Sequence, residues 1–169
     1  MKKFLLVLLL LLVVAAAVGY FLPHDYSVEE SVVINAKPGK IHELVGDLKR
    51  WDDWAPWKEM DPTVQVTFGK ETKGVGASQT WTGKDGDGSL QFTAADEDKG
   101  IEYDLKFDEM PAKGAIRYER MGDGTKVTWS MSGDMDMPVI GGYFALLMPR
   151  MVGGDFEKGL AKLKAQAEK

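Results

Sequence analysis

Gly100-Ile101-Glu102-Tyr103-Asp104-Leu105-Lys106-Phe107 places an apolar side chain at every second position. Ile101, Tyr103, Leu105 and Phe107 share one side; Glu102, Asp104 and Lys106 share the other. A period of two is that of a strand with one buried and one wet face. The pattern repeats on both sides of this stretch. Upstream, Val64, Val66 and Phe68 alternate, then Ala77, Gln79 and Trp81, then Leu90, Phe92 and Ala94. Downstream come Ile116 and Tyr118, then Val127, Trp129 and Met131. Turn chemistry separates the runs at Lys73-Gly74, Asp85-Gly86-Asp87-Gly88, Lys99-Gly100, Met110-Pro111 and Gly122-Asp123-Gly124. Short connections between half-apolar strands imply an antiparallel meander with a single buried face.

The flanks of the meander change period. Tyr26 to Ile34 reads as one more strand, with Val28, Val32 and Ile34 on one face and Glu30 as an anomaly among them. Pro38 suits the first turn of a helix, and Ile41, Leu44, Val45 and Leu48 follow at helical spacing. Gly46-Asp47 divides that segment into two short helices, with Asp47 capping the second. At the C-terminal end, Phe144, Leu147, Met148, Met151, Val152, Phe156, Leu160 and Leu163 form the stripe of a long helix, with Pro149 expected to kink or restart it. One arrangement buries all these faces. The sheet curls around the long helix, the short helices close one end, and space remains between helix and sheet.

Ahead of the domain, Phe4 to Leu22 carries no charge and consists mainly of Leu, Val and Ala. As a helix it covers roughly 28 Å, close to the hydrocarbon thickness of a bilayer. Lys2 and Lys3 precede it; Asp25, Glu29 and Glu30 follow. The basic flank stays cytoplasmic, so residues 25–169 are expected outside, on a single-pass anchor of residues 1–22. A cleaved signal peptide is the rival, since Ala15-Ala16-Ala17 suits a processing site; the product would then be secreted. The anchor is favoured because the apolar run continues through Val18, Tyr20, Phe21 and Leu22, which cleavage would leave as an exposed tail.

Charge narrows the function. The 169-residue chain carries −5. Without Lys2 and Lys3 it holds 19 basic and 26 acidic residues, a net of −7. A domain this acidic has no footprint for nucleic acid, and anionic headgroups repel it. With no cysteine, disulfides, thiol nucleophiles and thiolate metal sites are excluded.

Several pieces, in this order, resemble the START-like or SRPBCC superfamily, the polyketide cyclase/dehydrase and lipid-transport proteins. They are Ser31-Val32-Val33-Ile34-Asn35-Ala36-Lys37-Pro38, Val45-Gly46-Asp47 through Trp51, and Trp54-Ala55-Pro56-Trp57. Gly74-Val75-Gly76-Ala77 before the strand of Trp81, Thr125-Lys126-Val127-Thr128-Trp129, and Phe156 to Leu163 complete the set. The resemblance implies an α+β helix-grip fold: a curved antiparallel sheet of six or seven strands around a long C-terminal helix, with two short helices after the first strand. The N-terminal transmembrane helix makes this chain look like a membrane-tethered subgroup. The resemblance also implies a cavity for an apolar ligand, but no particular chemistry.

The candidate lining of that cavity is Trp81, Phe92, Tyr103, Tyr118 and Trp129 from the sheet, faced by Phe144, Met148 and Met151 from the helix. Each could equally be ordinary core; together with flexible methionines they suit an adaptable apolar pocket. Trp51, Trp54 and Trp57 fall where the superfamily has a cavity-mouth element, and serve either as a gate or as a cap on the short helices. Asp155, one turn after Met151, is a polar anchor if it points inward and a helix-border residue if it does not. Other features carry no site. Asp85-Gly86-Asp87-Gly88 lacks the spacing of a calcium loop, and Asp134 and Asp136 read as loop residues. His24 and His42, the latter placed on the exposed side of the first short helix, form no zinc pattern. Gly74-Val75-Gly76 lacks the strand–helix unit of a dinucleotide fingerprint, and no nucleophile–base pair is legible. No cofactor is therefore expected. The expected function is a tethered domain that holds a hydrophobic or lipid-like molecule between sheet and helix. Alternatives are a cyclase- or hydrolase-type enzyme using the same cavity, and an accessory envelope protein without ligand.

Overall fold

The computed structural model describes residues 1–169. Seven strands follow the alternating runs: β1 (Asp25–Ile34), β2 (Gln65–Phe68), β3 (Ser78–Thr82), β4 (Gly88–Asp96), β5 (Gly100–Phe107), β6 (Met110–Met121) and β7 (Gly124–Asp134). They form one antiparallel sheet in the order β1-β7-β6-β5-β4-β3-β2. The crossover that brings β1 beside β7 leaves β1 and β2 as the two edges. Register places Glu30, Trp129, Ile116 and Ile101 in one cross-strand row, and Val28, Met131, Gly114, Tyr103 and Phe92 in the next. These rows form the inner face, in agreement with the alternation.

Helix α1 (Lys2–Phe21) precedes the sheet, and α2 (Pro38–Val45) follows β1. Asp47 ends α2's segment as expected: its carboxylate accepts from Lys49 N at 3.1 Å and starts the 3-10 turn Leu48–Asp53. A further one-turn helix, α3 (Trp57–Met60), adds to the two short helices expected. The C-terminal helix α4 (Gly141–Ala167) continues through Pro149 without restarting. One turn differs from expectation. The β5–β6 reversal falls at Asp108-Glu109, with Asp108 at φ 50°, and Pro111 lies inside β6. Pro111 is tolerated there because β6 pairs with β7 only from Ala112 onward.

Helix α4 runs alongside β1 in the same direction. Gly142 packs against Leu22, Gly153 against Glu30, Lys164 Nζ donates to Val33 O at 2.8 Å, and Glu168 Oε1 accepts from Asn35 N at 2.7 Å. The domain thus has a proximal end beside α1, where β1 starts and β7 stops, and a distal end at Ile34 and Thr125. Its core of 23 buried residues lies between sheet, α2, the 3-10 turn and the second half of α4. Each large apolar side chain there contributes about 1.5–3 kcal/mol.

Candidate functional site

Trp129 is the centre of the inner face. Its ring is fully buried and lies flat on Phe156 of α4, with centroids 4.1 Å apart and planes 1° from parallel. Trp54 and Trp57 meet it edge-on at 5.2 and 5.7 Å. Gly159 makes the helix approach possible, since a Cβ there would fall 2.7 Å from the Trp129 ring and 3.2 Å from Pro56. The buried indole N–H groups are all satisfied: Trp129 donates to Tyr103 Oη at 2.9 Å, Trp51 to Val45 O at 2.8 Å, Trp54 to Leu44 O at 3.2 Å. Trp51 and Trp54 therefore close the core over α2, while Trp57 stays half-buried at its rim.

Three aromatics sit directly across from glycines. Tyr103 faces Gly114, Trp81 faces Gly88, and Tyr26 faces Gly133. A Cβ on Gly114 or Gly88 would come within 2.1 Å of the opposing ring. Each ring lies down over its glycine instead of standing up from the sheet, which lines the inner wall with flat aromatic faces. Register is needed to see these pairs, so the sequence alone does not reveal them.

The two ends of this wall differ. Phe92, Tyr103 and Trp129 are buried among these rings, and Tyr118 is buried with its edge toward His42. Toward the proximal end, Tyr26, Phe68, Trp81, Leu105, Met131, Met148 and Val152 pack against the core but remain partly exposed, while toward the distal end only the smaller Val32 and Ala95 do. The expected lining is thus split: four residues lie in the packed part, Trp57 at its rim, and Trp81 and Met148 in the partly open part. Phe144 and Met151 depart from expectation, since both point outward into the surroundings of α4. The first half of α4 is apolar on all sides, so its periodicity could not tell the inward face from the outward one. Asp155 lies at the border of α4 with its carboxylate 3.1 Å from Lys158 Nζ. The half-buried carboxylate on the inner face is instead Glu30, whose Oε1 lies 3.1 Å from the Cβ position of Gly153. His42 is also displaced from its expected exposed place. It is half-buried, with Nδ1 3.5 Å from Tyr118 Oη.

Burial sets the ionisation of the inward groups. It pushes the Tyr103 phenol up to about 12, with the hydrogen bond from Trp129 pulling the other way. It raises Tyr118 further and Tyr26 as well. It lowers His42, against the opposing pull of the Glu97 and Asp96 carboxylates. At neutral pH Tyr103 is therefore a protonated hydroxyl that accepts from Trp129 and keeps its own proton to donate.

Two open concavities, of about 1230 and 340 Å³, carry no residue of α4 in their walls. They share Asp104, Lys113 and Ser132, which alternate with the inward Tyr103, Ala112 and Gly133. The smaller opens on the outer face of the sheet, among hydroxyls and charges such as the Arg117–Glu102 ion pair, whereas the larger crosses all seven strands and includes the inward Tyr26, Phe68, Leu90, Leu105 and Ala112 in its wall.

Residues 25–168 match the family described as polyketide cyclase / dehydrase and lipid transport. No protein of curated function matches the chain. Among solved structures, a protein of Chromobacterium violaceum is similar at 13% identity and TM-score 0.61, over 85% of this chain and 97% of that one. A protein of Thermus thermophilus matches at 17% and 0.62, over 83% and 96%. One of Thermobifida fusca matches at 19% and 0.63, over 83% and 92%. At these identities the likeness is one of fold.

Proposed function

Because the chain belongs to the polyketide cyclase/dehydrase and lipid transport family, we propose that it holds a hydrophobic or lipid-like molecule against the inner face of the sheet, next to a membrane that α1 spans. The observation that carries this reading is the contrast along the inner wall. Stacked rings fill the distal part, whereas Phe68, Trp81, Leu105, Met131 and Met148 are only partly covered at the proximal end. Covering such surface with an apolar ligand is worth on the order of 25 cal/mol per Å², before the costs of ordering. Tyr103 supplies the polar contact, donating its spare proton to a carbonyl or hydroxyl of the ligand at the boundary between the two parts.

Placement of the site supports the same reading. Only Leu22, Pro23 and His24 separate α1 from β1, which holds the proximal end of the domain next to the end of the anchor. Helix α1 has 20 residues, about 30 Å of length, and leaves its apolar side chains exposed along its whole course. Lys2 and Lys3 orient the domain outward. A molecule leaving the bilayer beside α1 would meet the proximal end of the inner wall first. Uptake of an apolar fluorescent probe by the full chain in detergent tests the site. Wild type should bind, Tyr103→Phe should bind a carbonyl-bearing probe several-fold more weakly, and a distal change, Leu163→Val, should leave binding unchanged. Absence of uptake by the wild type, or equal binding by Tyr103→Phe, would overturn the respective part.

A further inference from the structure

We propose that Ile140 and the first turns of α4, as far as Met151, are embedded in the bilayer leaflet next to the domain, making a second membrane contact beside α1. The inference rests on α1 spanning the membrane, and it concerns a different segment of the chain.

Four observations converge. Residues 137–149 form an uncharged run of thirteen, closed by Asp136 before it and Arg150 after it. Within and beside this run Ile140, Phe144, Leu146, Leu147 and Met151 are between 42% and 59% exposed, a density of large apolar side chains that water-facing helices do not carry. The patch is continuous with the anchor: Gly19, the one buried residue of α1, fits against Val139 and Tyr143, and Gly142 fits against Leu22. Depth follows from Tyr143, whose hydroxyl donates to Ala15 O at 2.8 Å. Ala15 precedes the end of α1 by six residues, about 9 Å along its axis. If α1 spans, the start of α4 is drawn below the headgroups, where the exposed side chains are covered by acyl chains. Arg150, at the end of the run, is placed to reach back to the phosphates. The occupant is lipid and not a second protein because the patch shares its apolar surface with a helix whose own partner is the bilayer.

Absence of cysteine in the chain makes each introduced thiol a unique label position. The test uses the full chain in phosphatidylcholine vesicles, spin-labelled singly at Phe144→Cys, Leu147→Cys, Leu10→Cys within α1, and Glu119→Cys at the distal end. Relative accessibility to oxygen over a water-soluble nickel chelate reports depth. Labels at 144 and 147 should favour oxygen several-fold over the label at 119 and approach the value at 10. Lipid values at 10 with water values at 144 and 147 would overturn the inference and leave the anchor standing. Water values at 10 would remove both. Spin–spin broadening at 147 would assign the patch to a second copy and overturn the inference as well.

Discussion

Trp129→Ala and Trp81→Ala should separate the two parts of the inner wall by their cost in stability. The sequence treats both as walls of one space; the structure does not. Trp129 has no exposed surface, stacks on Phe156 at 4.1 Å and touches Trp54 and Trp57 with its edges. Its removal opens a cavity in packed core, which costs about 3–5 kcal/mol. It also takes away the donor to Tyr103 Oη, adding about 1 kcal/mol for the lost hydrogen bond. Trp81 lies half-buried over Gly88 with Phe107 at 6.5 Å. Fewer contacts vanish there and surrounding solvent or ligand fills the gap, so about 1–2 kcal/mol is expected. Trp129→Phe is the intermediate case, retaining the stack and losing the N–H. Urea denaturation of the full chain in a mild detergent, followed by far-ultraviolet circular dichroism, measures all three. Equal costs for Trp129→Ala and Trp81→Ala would refute the division of the wall into a packed and a partly open part.

Two glycines of α4 should respond in opposite directions. Gly159→Ala forces a methyl to 2.7 Å from the Trp129 ring and should destabilise by about 1–3 kcal/mol, whereas Gly154→Ala meets nothing within 4 Å and should stabilise by about 1 kcal/mol in the same denaturation assay. Alkaline stability should show Tyr103. Its phenol is raised from 10 to about 12 on folding, so its contribution is intact below pH 10 and is lost as pH rises toward 12, on the order of 2–3 kcal/mol; Tyr103→Phe should flatten that decline in urea titrations at stepped pH. A periplasmic-type reporter fused after Lys169 should be active outside the cytoplasm, and the intact mass of the mature protein should include residues 1–22; cytoplasmic activity would reverse the topology, and a mature start near Val18 would make the segment a signal peptide.

How much the sequence discloses depends on contrast between faces. Ile101 to Phe107 and Val127 to Met131 alternate cleanly because one side meets the core and the other water, so β5 and β7 are legible residue by residue. Phe156, Leu160 and Leu163 are likewise buried where their helical spacing puts them. Periodicity fails between Ile140 and Met151 because apolar side chains surround the helix there, and Phe144 and Met151 point away from the sheet. The glycine-backed rings of Tyr103, Trp81 and Tyr26 are invisible without register, since each pair joins residues on different strands. The stack of Trp129 on Phe156 needs the depth at which α4 crosses the sheet, which Gly159 sets and no linear pattern reports. Glu30 is an anomaly in the strand pattern because its accommodating partner, Gly153, lies far along the chain.

The central claim is that a lipid-like molecule occupies the proximal part of the inner wall. Native mass spectrometry of the full chain, extracted in detergent from the cells that make it, tests it most directly. Leu105→Trp, which fills the partly covered space from β5, distinguishes a held molecule from lipid bound around α1. A discrete adduct of lipid mass on the wild type that disappears in Leu105→Trp is the predicted result. A wild-type spectrum without adduct, or one whose adduct survives Leu105→Trp unchanged, would contradict it.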